Sequence, residues 1–230
     1  MMSNYNLDLD YAIFNIDISE SELKAIIAEV DSIILENNVN RKELAAACLK
    51  KAQCFQKLEH HAEISEDTQR LIKNLLEKAL ELSPDMPEAL MQMGKWNHIQ
   101  RNYSEAIYLY NHAIQLKPDY AAAYNNRGVT YAKNGNYERA IADFTEAIGL
   151  RPNEISYYFN RGLNYSKLGF HKEAIADFSQ SISLKPGFTN AVFLRGLTYL
   201  SAGAKDKAKK DFDEVLSRKK LKNNFNSIAI

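Results

Sequence analysis

YNNRGVTYAKNGNYERAIADFTEAIGLRP (124–152) is followed by YFNRGLNYSKLGFHKEAIADFSQSISLKP (158–186), nearly the same statement 34 residues further on. Pro84, Pro118, Pro152 and Pro186 keep that step. So do Gly94, Gly128, Gly162 and Gly196, and again Gly135, Gly169 and Gly203. Small residues recur at Ala106, Ala140, Ala174 and Ala208, and aromatic ones at Tyr110, Phe144, Phe178 and Phe212. A fixed period of this length marks a stack of units that bury their faces only against their neighbours.

Each recurring position has a physical reason. Tyr124, Gly128 and Tyr131 stand at i, i+4, i+7, one stripe of a first helix, and Ala140, Phe144 and Ala147 do the same in a second. Gly135 lies between them, where a helix ends on a residue able to take positive φ. Gly128 and Ala140 carry almost no side chain, so the two helices approach closely. Pro152 cannot continue the second helix and ends it. The expected unit is an antiparallel helix pair, and the expected fold class is all-α, a right-handed α-solenoid.

Gly and Tyr three apart, then Ala, an aromatic, a small residue and Pro, all at period 34, resemble the tetratricopeptide repeat. The units frame as 87–120, 121–154, 155–188 and 189–222. The first departs with Asn97 at the tyrosine position and Arg101 at the turn glycine; the last has Lys220 in place of proline. Upstream, DTQRLIKNLLEKALELSP (67–84) fits a second helix, with KELAAACLKKAQCFQKL (42–58) as its partner across the loop EHHAEISED. Residues 41–86 thus read as a degenerate repeat with a stretched hairpin. SESELKAIIAEVDSIILENN opens with Ser19 and Glu22 at capping-box spacing, so 19–40 is expected to hold a capping helix. Residues 1–18 are expected to form an extended arm and 223–230 a C-terminal tail.

Composition excludes more than it assigns. The chain has 230 residues, 46% apolar and 25% charged, with a formal net charge of zero, so no global field recruits nucleic acid or an anionic membrane. The charge is uneven: residues 1–40 hold eight acids against Lys24, and 189–230 hold nine Lys/Arg against four Asp/Glu. No basic n-region or long apolar run is present at the N-terminus, so neither a signal peptide nor a spanning helix is expected. Cys48 and Cys54, six apart on a helical pattern, are separated by a rise of roughly 9 Å, beyond the ~7 Å over which a disulfide closes. They read as reduced thiols, which fits a cytoplasmic protein.

No catalytic constellation stands out. His60, His61 and Glu63 have no second ligand cluster and read as a polar loop, not a metal site. There is no phosphate-binding glycine loop. The chain is therefore expected to be no enzyme and to need no cofactor. Arg127, Arg161 and Arg195 each precede the packing glycine, and each is followed sixteen residues later by Asp143, Asp177 and Asp211. In unit 87–120 the same places hold Met93 and Leu109, so both members are ionic or both apolar. That internal covariation points to structural ion pairs between the first and second helices.

The resemblance implies that first helices line an inner, concave face. Its groove places hold Met91, Gln92, Lys95, His98, Asn125, Asn126, Lys133, Phe159, Asn160, Lys167, Asn190 and Phe193. The expected peptide-binding set is Gln92, Lys95, Asn125, Asn126, Lys133, Phe159, Asn160 and Lys167. Asparagines at the place of Asn126 and Asn160 often hold a peptide backbone in the resembled family, because a carboxamide both donates and accepts. The row that would clamp a chaperone's C-terminal carboxylate is matched only at its central Asn. The expectation is a protein-interaction module holding an extended peptide or partner helix, as adaptor or assembly factor. The alternative is a structural protein that self-associates, as a homodimer for example, through its ends.

Overall fold

The structure is a computed structural model, and it describes residues 20–35, 40–58 and 65–226. Among them are eleven helices and no strand: α1 (Glu20–Leu35), α2 (Arg41–Leu58), α3 (Glu66–Leu82), α4 (Pro87–Ile99), α5 (Tyr103–Leu116), α6 (Ala121–Lys133), α7 (Tyr137–Leu150), α8 (Ile155–Lys167), α9 (His171–Leu184), α10 (Thr189–Ser201) and α11 (Lys205–Asn226). The arm expected at 1–18, the capping box of Ser19, the polar loop with His60 and His61, and residues 227–230 of the tail lie outside the described residues. The chain forms two compact units, one ending at Arg127 and the other beginning at Gly128, within α6.

In the first unit, α1 packs on α2, α2 on α3, α3 on α4 and α4 on α5. Ser65 caps α3, its hydroxyl accepting from Thr68 N at 3.2 Å, and Ile72, Leu76 and Ala79 form the buried stripe. Pro87 opens α4 at a position where its missing N–H costs nothing. One core cluster joins Leu76, Ala89, Leu90, Met93, Ala106, Leu109 and Tyr110. In the second unit, α7 packs on α8, α8 on α9, α9 on α10 and α10 on α11.

The glycine expected to let helices approach has a specific occupant above it. A Cβ built on Gly94 would stand 2.6 Å from Tyr110 Cε1; on Gly162 it would stand 3.0 Å from Phe178 Cε1 and 3.1 Å from Asp177 Cβ. Tyr110, Phe144 and Phe178 are completely buried. The turn that follows is a Schellman closure: Asn136 N donates to Tyr131 O at 2.8 Å and Gly135 N to Ala132 O at 3.1 Å. Gly135, Gly169 and Gly203 have φ near +80°, and Arg101, in the place of the missing glycine, is held at +62° with the same closure through Asn102.

Second helices stop one residue before proline, at C-caps Lys117, Arg151 and Lys185. The residue ahead of proline is driven out of the helical region. At Lys220 that constraint is missing, and α11 runs to Asn226, so the boundary drawn at 222 is not a structural break.

Gly162→Ala is expected to destabilise the protein by about 1–3 kcal/mol, because the ring and the Asp177 Cβ must both give way. Gly149→Ala, at an α7 position with nothing within 4 Å, should instead stabilise by roughly 0.5–1 kcal/mol. Denaturant unfolding of the two variants checks both signs, and equal effects would mean that the ring does not set the helix spacing.

Candidate functional site

Helices α4 and α6 place four of the expected binding residues in the first unit. Gln92 is 2% exposed, Lys95 7%, Asn125 5% and Asn126 2%, so these side chains are buried and do not stand open to solvent as a groove lining would. Asn126 Nδ2 donates to Met91 Sδ at 3.4 Å, and Asn125 Nδ2 donates to Asn126 Oδ1 at 3.3 Å. Gln92 Oε1 is different: it is fully buried and has no hydrogen-bond partner among the described residues. A buried acceptor left in that state costs about 1–3 kcal/mol. Asn97, at the place where the repeat carries tyrosine, folds back so that its Nδ2 donates to Met93 O at 3.0 Å.

The second unit carries the other four. Lys133 and Lys167 are exposed at the ends of α6 and α8, and Phe159 and Asn160 are half-buried. The Phe159 ring tilts against Phe178 at 5.9 Å and Phe188 at 4.8 Å, which fixes its position. The backbone carbonyl of Asn160 accepts from Asn164 Nδ2 at 2.7 Å. Asn164, buried at the tyrosine-preceding position of α8, was not among the residues that sequence reasoning selected; its polar type at a first-helix interior was the available signal.

The arginines form the most regular polar feature. Arg161 donates Nε to Asp177 Oδ2 and Nη2 to Oδ1, both at 2.8 Å. Arg195 does the same to Asp211 at 2.9 and 2.7 Å. The Asp177 and Asp211 side chains are only 6% and 5% exposed. These hydrogen bonds hold the guanidinium pKa of Arg161 and Arg195 above the ordinary arginine value, against the opposing pull of burial. Arg127 lies in the first unit and Asp143, 4% exposed, in the second. Met93 and Leu109, the apolar counterpart, are both buried in one cluster.

Each arginine also reaches backwards. Arg127 Nη1 donates to Asn111 Oδ1 at 2.6 Å, Arg161 Nη1 to Thr145 Oγ1 at 3.1 Å and Arg195 Nη1 to Ser179 Oγ at 3.2 Å. The acceptors are themselves 34 apart, sixteen residues before each arginine. Sequence reasoning looked only sixteen residues forward; backwards the covariation does not hold, since Met93 has Glu77 at the corresponding place.

Among the described residues no group of three or more His, Cys, Asp or Glu is placed to hold a metal, and no helix is long and apolar enough to cross a membrane. Cys48 and Cys54 are buried free thiols. Burial pushes the Cys48 thiol pKa up, which keeps it protonated and unreactive.

Residues 121–154 match the tetratricopeptide repeat, as do 155–188 and 189–220, and residues 97–135 match the TPR repeat. No curated protein matches the chain. Among solved structures, MamA is 28% identical with a TM-score of 0.65, the alignment covering 69% of this chain and 93% of that one. YrrB, described as a TPR protein with an unusual peptide-binding site, is 20% identical with a TM-score of 0.64, covering 82% and 91%. BtubC (BKLC) from P. vanneervenii is 15% identical with a TM-score of 0.71, covering 88% and 90%. The last two likenesses show the fold alone, an α-solenoid of helix pairs.

Removing one member of the Arg161–Asp177 pair strands the other. Asp177→Ala should therefore cost about 3 kcal/mol, the low end for a buried pair because Arg161 keeps some solvent contact. The double variant Arg161→Met with Asp177→Leu, which copies Met93 and Leu109, should unfold at higher denaturant than Asp177→Ala. A single variant that melts like the unaltered protein would reduce the pair to a surface contact.

Proposed function

Because the chain belongs to the tetratricopeptide-repeat family, a protein-interaction repeat fold, we propose that it is a non-enzymatic module that holds an extended peptide or a partner helix against its first helices and serves as an adaptor or assembly factor. The observation that carries this reading is Gln92. Its Oε1 is a buried acceptor with no partner among the described residues, on the helix that also presents Met91 and Lys95. Gln92 is only 2% exposed, so a peptide N–H reaches it where the neighbouring side chains give way, and pairing there removes a standing penalty of the free protein. The amides of Asn125 and Asn126 lie in the same unit. In the second unit Asn160 offers an amide beside the fixed Phe159 ring, and the exposed Lys133 and Lys167 favour a segment with some acidic residues, chiefly through association rate.

The second reading, self-association through the ends, is favoured by one observation: residues 1–40 carry a balance of −7 and residues 189–230 one of +5. Light scattering over a concentration series at low and high salt separates the two, since an end-to-end electrostatic contact weakens as salt rises.

Gln92→Met keeps the side-chain shape and removes the stranded acceptor. The variant should be as stable as the unaltered protein or more so, yet capture peptides from a displayed library of unstructured sequences at least tenfold more weakly, about 1.4 kcal/mol. Asn160→Ala should weaken capture while leaving the melting temperature within a few degrees. Gln92 is the sharper probe than Asn126, whose amide already serves the fold. If both folded variants capture the library unchanged, the binding surface is not on the first helices.

A further inference from the structure

The second unit ends in a face that the amide reading does not use. On α10, Phe193, Leu197 and Leu200 are 36%, 39% and 49% exposed, and their i, i+4, i+7 spacing puts them on one side of the helix. The Phe193 ring lies 5.8 Å from that of Phe212, which joins this side to α11. There Lys205, Lys209, Phe212 and Leu216 stand at i, i+4, i+7, i+11, again one side. Both lysines are exposed, and Leu216 is 57% exposed. On the earlier second helices of this unit a helix covers the same positions. α8 packs on α7 and α10 on α9. The places of Lys205, Lys209 and Leu216 are held there by Tyr137, Ile141 and Ile148 on α7 and by His171, Ile175 and Ile182 on α9, all half-buried. Phe159, one period before Phe193, is likewise half-buried, its ring 4.8 Å from that of Phe188 at the start of α10.

We propose that the open face of α10 and α11 docks an amphipathic helix of a partner protein, apolar along one side and acidic along one edge. A helix is the occupant because a helix is what covers this face on α7 and on α9. The acidic edge follows from the charge that α11 puts there. Where α7 and α9 have isoleucine, α11 has Lys209, and where they have Tyr137 and His171 it has Lys205. An apolar helix laid on this face would strand the two ammonium groups, and carboxylates along its edge prevent that. An incoming helix with leucine-sized residues at i, i+4, i+7 meets Phe193, Leu197 and Leu200 over a rise of roughly 10 Å. Its carboxylates meet Lys205 and Lys209, which speeds association and selects against a basic helix. Two lysines alone would only solubilise the end of a stack. Three exposed aromatic and leucine side chains beside them form the kind of surface that marks a docking site.

The inference goes beyond the amide reading: its residues lie on α10 and α11, and neither Gln92 nor Asn160 takes part.

The probe is a fluorescein-labelled synthetic helix of about four turns, with leucines at i, i+4, i+7 and i+11 and glutamates along one edge. Its affinity for the full chain is read by fluorescence anisotropy. The probe should bind saturably and more weakly as salt rises. Leu197→Asp, at an exposed position and with folding checked by circular dichroism, should weaken it at least tenfold. Lys205→Glu with Lys209→Glu should weaken it similarly, and should bind a second probe, with lysines in place of the glutamates, at least tenfold more tightly than the unaltered chain does. No saturable binding, no effect of Leu197→Asp, or equal binding of the two probes by the unaltered chain would each overturn the proposal. So would a dimer in light scattering that Leu197→Asp dissolves, because a second copy would then be the occupant. Gln92→Met should leave probe affinity unchanged whatever it does to library capture; a parallel loss would place the probe on α4 and overturn the proposal. Undiminished library capture by Gln92→Met and Asn160→Ala, with probe binding intact, sinks the amide reading and leaves the docking in place.

Discussion

A glycine on the first helix of each pair from α4 onward, faced by an aromatic ring sixteen residues later, sets the spacing that the other contacts follow. Gly94 receives Tyr110, Gly128 receives Phe144, Gly162 receives Phe178 and Gly196 receives Phe212. A glycine within a helix costs roughly 0.5–1 kcal/mol relative to alanine. The ring that it admits contributes about 1.5–3 kcal/mol of burial. The exchange favours the fold, and it recurs in the four repeats from residue 87 on, so it is selected by energy at each step and not only by the geometry of one turn.

The arginine lattice follows from the same register. The residue before each glycine faces the residue before each ring, which is why the pairs are Met93 with Leu109, Arg161 with Asp177, and Arg195 with Asp211. Ionic and apolar versions of that contact are close in free energy, since replacing a buried ion pair by well-packed apolar groups is often neutral or stabilising. What the ionic version adds is direction. The bidentate fork fixes the guanidinium plane, and the remaining Nη1 then points to Thr145 or Ser179 on the second helix of the preceding pair. One side chain thereby ties three helices, which an aliphatic pair cannot do.

The fold was legible because the decisive signals are local and repeated: proline stops, glycine turns and 3.6-residue stripes each act within one unit. Helix α11 runs on to Asn226 because Lys220, standing where the other repeats have proline, imposes no stop. Arg101 was recognised as a departure, and the backbone nonetheless takes the left-handed conformation there, since the Schellman closure through Asn102 outweighs a strain of about 1–2 kcal/mol. The site was less legible. The arginine pairs could be read because two positions covary inside one sequence. The burial of Gln92, Lys95, Asn125 and Asn126 could not, because a helical wheel says which side a residue is on and not what lies over that side. On α10, Phe193 was read as a groove place, but the exposure of Leu197 and Leu200 could not be read, because the three have the spacing of a core face and spacing alone does not distinguish a covered face from an open one.

The two units therefore offer a ligand different chemistry, and the proposed function divides accordingly. On the proposed function, the Gln92 amide would pair with a main-chain N–H, which every peptide has, so it would supply hold without choice of sequence. Phe159, Leu163 and the exposed apolar side chains of α10 would instead take up side chains, and apolar contact discriminates by size and shape at about 0.8 kcal/mol per buried methylene. On this reading the first unit provides grip and the second provides selection. An alternating apolar and acidic segment suits the second unit better than a uniformly apolar one, because alternation lets one side bury against Phe and Leu while the other keeps its charge in water near Lys133 and Lys167.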